Sequence, residues 1–310
     1  MVILAVVLAM AVLAVLLCAY YAYRVAFYSP PDREENIYDL PLGEQYDDKR
    51  EVLHRSVRAL SEVPFEEVRI PSFDGKTLFG RYYHHMDGAP VQIMFHGYRG
   101  SAVRDFCGGA VLARKLGHNA LIVDQRAHGR SQGTTITFGI LERYDCRSWA
   151  RYIQERFGEV PIVLSGVSMG AATVLMATEL DLPKTVTAVL ADCPYSSPKE
   201  IIAKVAGEMG LPGRPAAACC ALGALLYGHF RLGATSAVSA VKHTKLPILL
   251  IHGQEDRFVP CEMSRRISRV CGGDCELYTF PKAAHGFSYM TDPQHYESLV
   301  VSFLNRHVPG

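Results

Sequence analysis

Six apolar runs constrain the fold of this chain more than any other feature: "VQIMFHG" (91–97), "NALIVDQR" (119–126), "VPIVLSG" (160–166), "VTAVLADC" (186–193), "LPILLIHG" (246–253) and "CELYTFPKAAHG" (275–286). Each has a continuous apolar stretch rather than an alternating one, which predicts strands buried on both faces. The segments "VRDFCGGAVLARKLG", "ILERYDCRSWARYIQERFG" and "SMGAATVLMATEL" between them carry helical periodicity. Strands of this kind alternating with helices imply an α/β fold whose sheet is mostly parallel and covered on both sides. Upstream, "FEEVRIPS" and "KTLFGRYYHH" alternate around Asp74 and Gly75, which predicts an antiparallel hairpin at the sheet edge.

Within this pattern, "GVSMG" (166–170) follows directly on the strand "PIVLS" and opens into the helical "AATVLMATEL". A serine on a sharp strand-to-helix turn is exposed above the sheet, and small flanking residues, here Gly166 and Gly170, permit the strained turn. The helix that follows aims its N-terminal N–H groups at developing negative charge. Ser168 is therefore the candidate nucleophile, and a hydroxyl needs a base to become one. Of the twelve histidines, His285 lies just beyond the last strand-like run. His96 and His252, beside glycines at strand ends, read instead as structural hydrogen-bonding groups. A carboxylate must orient the base, and Asp256 in "IHGQEDRFVP" follows the preceding strand. Glu255 beside it, and Asp192 in "LADCP", are the alternatives for that acid.

The landmarks "FHGYRG", "VDQRAHGRS", "GVSMG", "IHGQEDRFVP" and "AAHGF" together resemble an α/β-hydrolase of the serine type, over roughly residues 65 to 308. The whole arrangement resembles membrane-anchored prokaryotic members of that superfamily. The resemblance implies an oxyanion hole made by the backbone N–H groups of Tyr98 and Met169. It also implies that Asp124, Arg126, His128 and Arg130 fix a loop rather than take part in catalysis. The expected activity is hydrolysis of a small-molecule or lipid-like acyl ester through Ser168, His285 and Asp256, with no metal or organic cofactor. Thioesterase or aminopeptidase chemistry on the same residues, or a catalytically silent tethered binding module, are the competing functions. An aminopeptidase would need an acidic group for the substrate amine, and the segment 195–245 offers Glu200 and Glu208.

Residues 1–23 contain no charged side chain, and at about 1.5 Å per residue a helix of that length extends roughly 34 Å, enough to cross a bilayer core. A signal peptide is the rival reading, but no basic n-region or small-x-small cleavage site precedes Arg24, and Leu17 before Cys18 does not suit a lipobox. Tyr20, Tyr21, Tyr23 and Tyr28 form an aromatic belt at the exit. Arg24 and Arg33 beyond the span favour a cytoplasmic domain, as do the eight irregularly spaced cysteines, of nine, that lie beyond the span. Cys271 and Cys275 could be half a metal site but lack a partner pair. Residues 24–64, with Pro30, Pro31 and Pro41, read as a juxtamembrane linker with a short helix near 48–61, and residues 65–310 as the hydrolase domain. The segment 195–245, with "PAAACCALGALLYGHF" at its centre, breaks the strand–helix rhythm and reads as a helical lid or a lengthened crossover. A net charge of +1 with no basic run excludes a nucleic-acid surface.

Overall fold

The computed structural model describes residues 1–31, 36–38, 47 and 49–308. The edge hairpin is β1 (Glu66–Pro71) and β2 (Thr77–Tyr83), and the six apolar runs become β3 (Val91–Phe95), β4 (Asn119–Asp124), β5 (Ile162–Val167), β6 (Val186–Asp192), β7 (Ile248–Gly253) and β8 (Cys275–Phe280). They form one sheet in the order β1-β2-β4-β3-β5-β6-β7-β8. β2 pairs antiparallel with β1 and β4, and the other neighbours are all parallel.

Period-two alternation hidden inside the apolar runs sorts the strand side chains between two layers. On β4, Leu121 and Val123 join one core and Ala120 and Ile122 another. On β7, Ile248 and Leu250 face the first layer, whereas Leu249 and Ile251 face the second. The first layer is closed by α4 (Glu142–Phe157) through Trp149 and Ile153 and by α5 (Met169–Ala177) through Val174 and Leu175. α9 (Glu262–Val270) adds Ile267 to it. α2 (Arg50–Ser61), α3 (Ala102–Lys115) and α10 (Pro293–His307) cover the opposite face through Leu53, Phe106 and Phe303. Continuous apolar sequence was thus required because both faces of each central strand are covered.

The segment 195–245 forms α6 (Pro198–Glu208), α7 (Gly213–Leu226) and the short α8 (Ala237–Ala240), between β6 and β7. Ile201 and Ile202 of α6 share a buried cluster with Met169, Tyr195 and Val259, which places this insertion over the carboxyl ends of the strands.

α1 (Val2–Ala26) is one apolar helix, long and hydrophobic enough to span a membrane, and it is exposed from Val2 to Cys18. It continues past the expected end at residue 23, because nothing in Arg24-Val25-Ala26 breaks a helix. The residues just after it are packed on the domain. Phe27 is fully buried against Phe138 and Phe230, and Tyr28 forms a β-bridge with Thr135. Arg33, Pro41 and Asp48 lie outside the described residues, and the expected helix near 48–61 begins at Arg50.

Candidate active site

Parallel strands deliver their carboxyl ends to one rim, and there Ser168 joins β5 to α5 with φ 55° and ψ −113°. This conformation is disfavoured for a side chain and costs roughly 1–3 kcal/mol, which the surrounding packing must supply. Two glycines make the turn possible. A Cβ on Gly170 would lie 1.7 Å from the Phe95 carbonyl oxygen, and one on Gly166 would lie 2.3 Å from the Gly170 carbonyl. The Ser168 N–H donates to the Asp192 carbonyl at 2.9 Å, tying the elbow to the end of β6.

His285 follows β8, and its Nε2 lies 2.9 Å from Ser168 Oγ. On its other side, Nδ1 lies 2.7 Å from Asp256 Oδ2. The ionised carboxylate can only accept, so Nδ1 carries the proton and Nε2 is left to accept from the serine hydroxyl. Asp256 is fixed by four donors. Its Oδ1 accepts from the Phe258 and Val259 amides at 2.9 and 2.8 Å. Its Oδ2 receives His285 and lies 3.2 Å from His252 Nε2. Burial works against its charge, but the hydrogen bonds from His252 and His285 outweigh that and hold the carboxyl well below the usual carboxylate range.

Glu255 is exposed, and His285 Nδ1 bonds the adjacent Asp256 instead. Asp192 is buried at the cleft wall, where desolvation raises its carboxyl to about 6 against the opposing effects of His252, His285 and a hydrogen bond from Tyr296. Neither carboxylate bonds the imidazole. His252, read from sequence only as a structural hydrogen-bonding group, also holds Asp256 from behind. Its Nε2 lies 2.8 Å from the Val259 carbonyl and its Nδ1 2.7 Å from Ser264 Oγ, so Nε2 is the protonated nitrogen. The i,i+4 spacing in "HGQED" was the available signal for this contact.

Met169 is the first residue of α5, ahead of the first intrahelical bond from Ala172 to the Ser168 carbonyl at 3.0 Å. Tyr98 stands across the cleft in the loop after β3. That loop is held by Asp105, whose Oδ2 accepts the Gly97 N–H at 2.8 Å, a role with no sequence signature. The "DQRAHGRS" residues build scaffolding. Arg126 makes two hydrogen bonds to Asp145, at 2.6 and 2.7 Å, Asp124 pairs with Arg81 at 2.9 Å, and His128 Nε2 accepts the Arg99 N–H at 3.0 Å. His96 lies 2.8 Å from the Gly97 carbonyl and accepts the Gln125 N–H at 3.1 Å.

The cleft has a volume of about 480 Å³ and is lined by Tyr98, Ser168, His285, Phe258, Phe287 and Met290 among others. Cys193, Asp256 and His285 lie close enough to share a cation. Yet the Asp256 oxygens and His285 are already engaged with one another, and burial pushes the Cys193 thiol well up. Cys271 and Cys275 interact with each other through their side chains, at the start of β8.

A family model for the alpha/beta hydrolase fold matches residues 90–217. An esterase of Pyrococcus furiosus, Pf2001, superposes with a TM-score of 0.65 over 81% of this chain and 94% of its own, at 24% identity. The chain has the α/β-hydrolase fold. Among similar sequences, the chain is 28% identical to YqkD of Bacillus subtilis over 61% of its length. It is 23% identical to protein bem46 of Schizosaccharomyces pombe, over 70% of its own length and 68% of that protein. The match spans 63% of YqkD, less than two thirds of that relative. The matched stretch includes Tyr98, Ser168 and Met169 and ends before Asp256 and His285.

Proposed function

We propose that this protein is a serine hydrolase of carboxylic esters, with Ser168 as nucleophile, His285 as general base and Asp256 as the orienting carboxylate. The observation that carries this reading is the unbroken series from Ser168 Oγ through both His285 nitrogens to Asp256, at 2.9 and 2.7 Å. His285 Nε2 takes the hydroxyl proton as Oγ attacks the ester carbonyl carbon. The oxyanion is stabilised by the Met169 and Tyr98 amides, and each such donor is typically worth about two to three orders of magnitude in rate. The imidazolium then protonates the leaving alkoxide, and water enters by the same path to release the acid and regenerate Oγ–H.

Acyl esters fit better than substrates with a free amine. Glu208 lines the cleft but is paired with Lys204 at 2.6 Å, and Glu200 is taken up by Arg266 and Ser196. Neither presents an uncommitted carboxylate to an ammonium group. We further propose that α1 anchors the enzyme with its domain on the cytoplasmic side, the side Arg24 favours, and that α6 and α7 act as a lid.

Fluorophosphonate labelling of the full chain tests the nucleophile: the label goes to Ser168 and is absent from Ser168→Ala. Unlabelled but folded wild-type protein would turn the assignment toward a silent binding module. A panel of acyl esters against aminoacyl amides then tests the substrate class. Faster turnover of the amides would overturn the ester assignment.

A further inference from the structure

α7 is fourteen residues long, and no charged side chain occurs from Pro215 to Gly228. Helices of this length and composition are core helices or segments that dip into a membrane surface. The packing of α7 against α1 decides between the two. The site of a Cβ on Gly223 is 2.4 Å from the Ala19 carbonyl oxygen and 3.2 Å from Tyr23. Four residues further on, Tyr227 packs edge-on against Tyr20 and donates its hydroxyl to the Leu16 carbonyl at 3.2 Å. Later residues of α7 meet earlier residues of α1, so the two helices run antiparallel and the end of α7 climbs along the apolar span. The chain then turns back at Gly228, and Phe230 returns to Phe27 at the domain.

Counted along α1, the level of Leu225 and Leu226 is near residue 18, about six residues and ~9 Å into the span from Arg24. Both leucines are exposed, at 49% and 40%, beside an α1 surface that is exposed and apolar from Val2 to Leu17. The Tyr227 hydroxyl would be costly in hydrocarbon without an acceptor, and the Leu16 carbonyl supplies one.

We infer that the carboxyl-terminal half of α7 enters the same bilayer as α1, with Leu225 and Leu226 against lipid acyl chains. The two helices form one membrane element, and the catalytic domain is docked on the bilayer instead of hanging from a tether. This rests on the reading of α1 as a membrane anchor. Only the acyl region of a bilayer continues the apolar surface of α1 across to Leu225 and Leu226.

The test uses the full chain in phosphatidylcholine vesicles whose acyl chains carry bromine, a short-range quencher of tryptophan. The single native tryptophan, Trp149, is buried in the domain and serves as the unquenched baseline. Leu225→Trp and Leu226→Trp are each expected to lose at least half of their added emission, as is Leu8→Trp on the exposed part of α1. If Leu8→Trp is quenched while neither α7 variant is, the docking is overturned and the anchor stands. If Leu8→Trp also escapes quenching, the anchor and the docking fall together. Ester hydrolysis, measured separately, is not at stake in either outcome.

Discussion

The Tyr98 hydroxyl donates to the Ala26 carbonyl at 2.9 Å, joining the loop beside the candidate nucleophile to the last turn of the apolar helix. The next residue repeats the link: the Arg99 guanidinium donates to the carbonyls of Val25 and Tyr28 at 2.9 and 3.2 Å. Arg99 itself sits at φ 48°, a strained value that these contacts help to hold. If the Tyr98 amide is an oxyanion donor, its position depends on the end of α1. Arg99→Ala is expected to lower kcat about tenfold, ~1.4 kcal/mol of transition-state stabilisation, with KM nearly unchanged. Arg99→Lys should recover part of the loss, and steady-state kinetics on one soluble ester read both. A change confined to KM would place Arg99 in substrate binding.

Asp256→Asn removes the charge that stabilises an imidazolium at His285, and it disturbs the proton assignment fixed by Nδ1. A fall in kcat of about 10⁴ is expected, comparable to other triads that lose this carboxylate. Because Asp256 is also the acceptor for His252 and two backbone amides, the variant should lose thermal stability, whereas Ser168→Ala should not. Denaturation curves recorded beside the kinetics distinguish the two effects.

Gly170→Ala should not yield folded protein, since its Cβ would fall 1.7 Å from the Phe95 oxygen and 2.7 Å from the His96 oxygen, both backbone atoms. A loss of more than ~4 kcal/mol is expected from such a clash. Gly117→Ala is the contrasting case. Its φ of +76° is strained but the space beside it is open, so a loss of about 1 kcal/mol is expected. Soluble yield and urea midpoints of the two variants check the difference.

Asp192 carries a carboxyl raised from 3.8 to about 6 by burial, so the folded state holds this proton more tightly than the unfolded chain. Its contribution to stability therefore falls as pH rises through that window, the reverse of a salt-bridged acid. Asp192→Asn removes this dependence. Relative to wild type, the variant should gain up to ~3 kcal/mol between pH 4 and pH 7. Urea denaturation at several pH values measures it, and a pH-independent difference would mean that Asp192 is ionised throughout.

The sequence by itself determined the sheet, the elbow and the apolar helix, because each is written in neighbouring residues. Uninterrupted Val, Ile and Leu runs can only be strands covered twice, and "GVSMG" between strand and helix leaves little choice of turn. It also brought Ser168, His285 and Asp256 forward as candidates, but left Glu255 and Asp192 open beside them. Only tertiary structure shows that Asp256 is the carboxylate that meets the imidazole, since contacts across 117 and 29 residues depend on where packed strands aim their loops. The same holds for α1. Composition marks an apolar helix, but only packing shows that it runs on to Ala26, lies along α7 and ends in hydrogen bonds with Tyr98 and Arg99. Local pattern sets the period of a backbone, whereas the meeting of distant side chains is set by how whole elements pack.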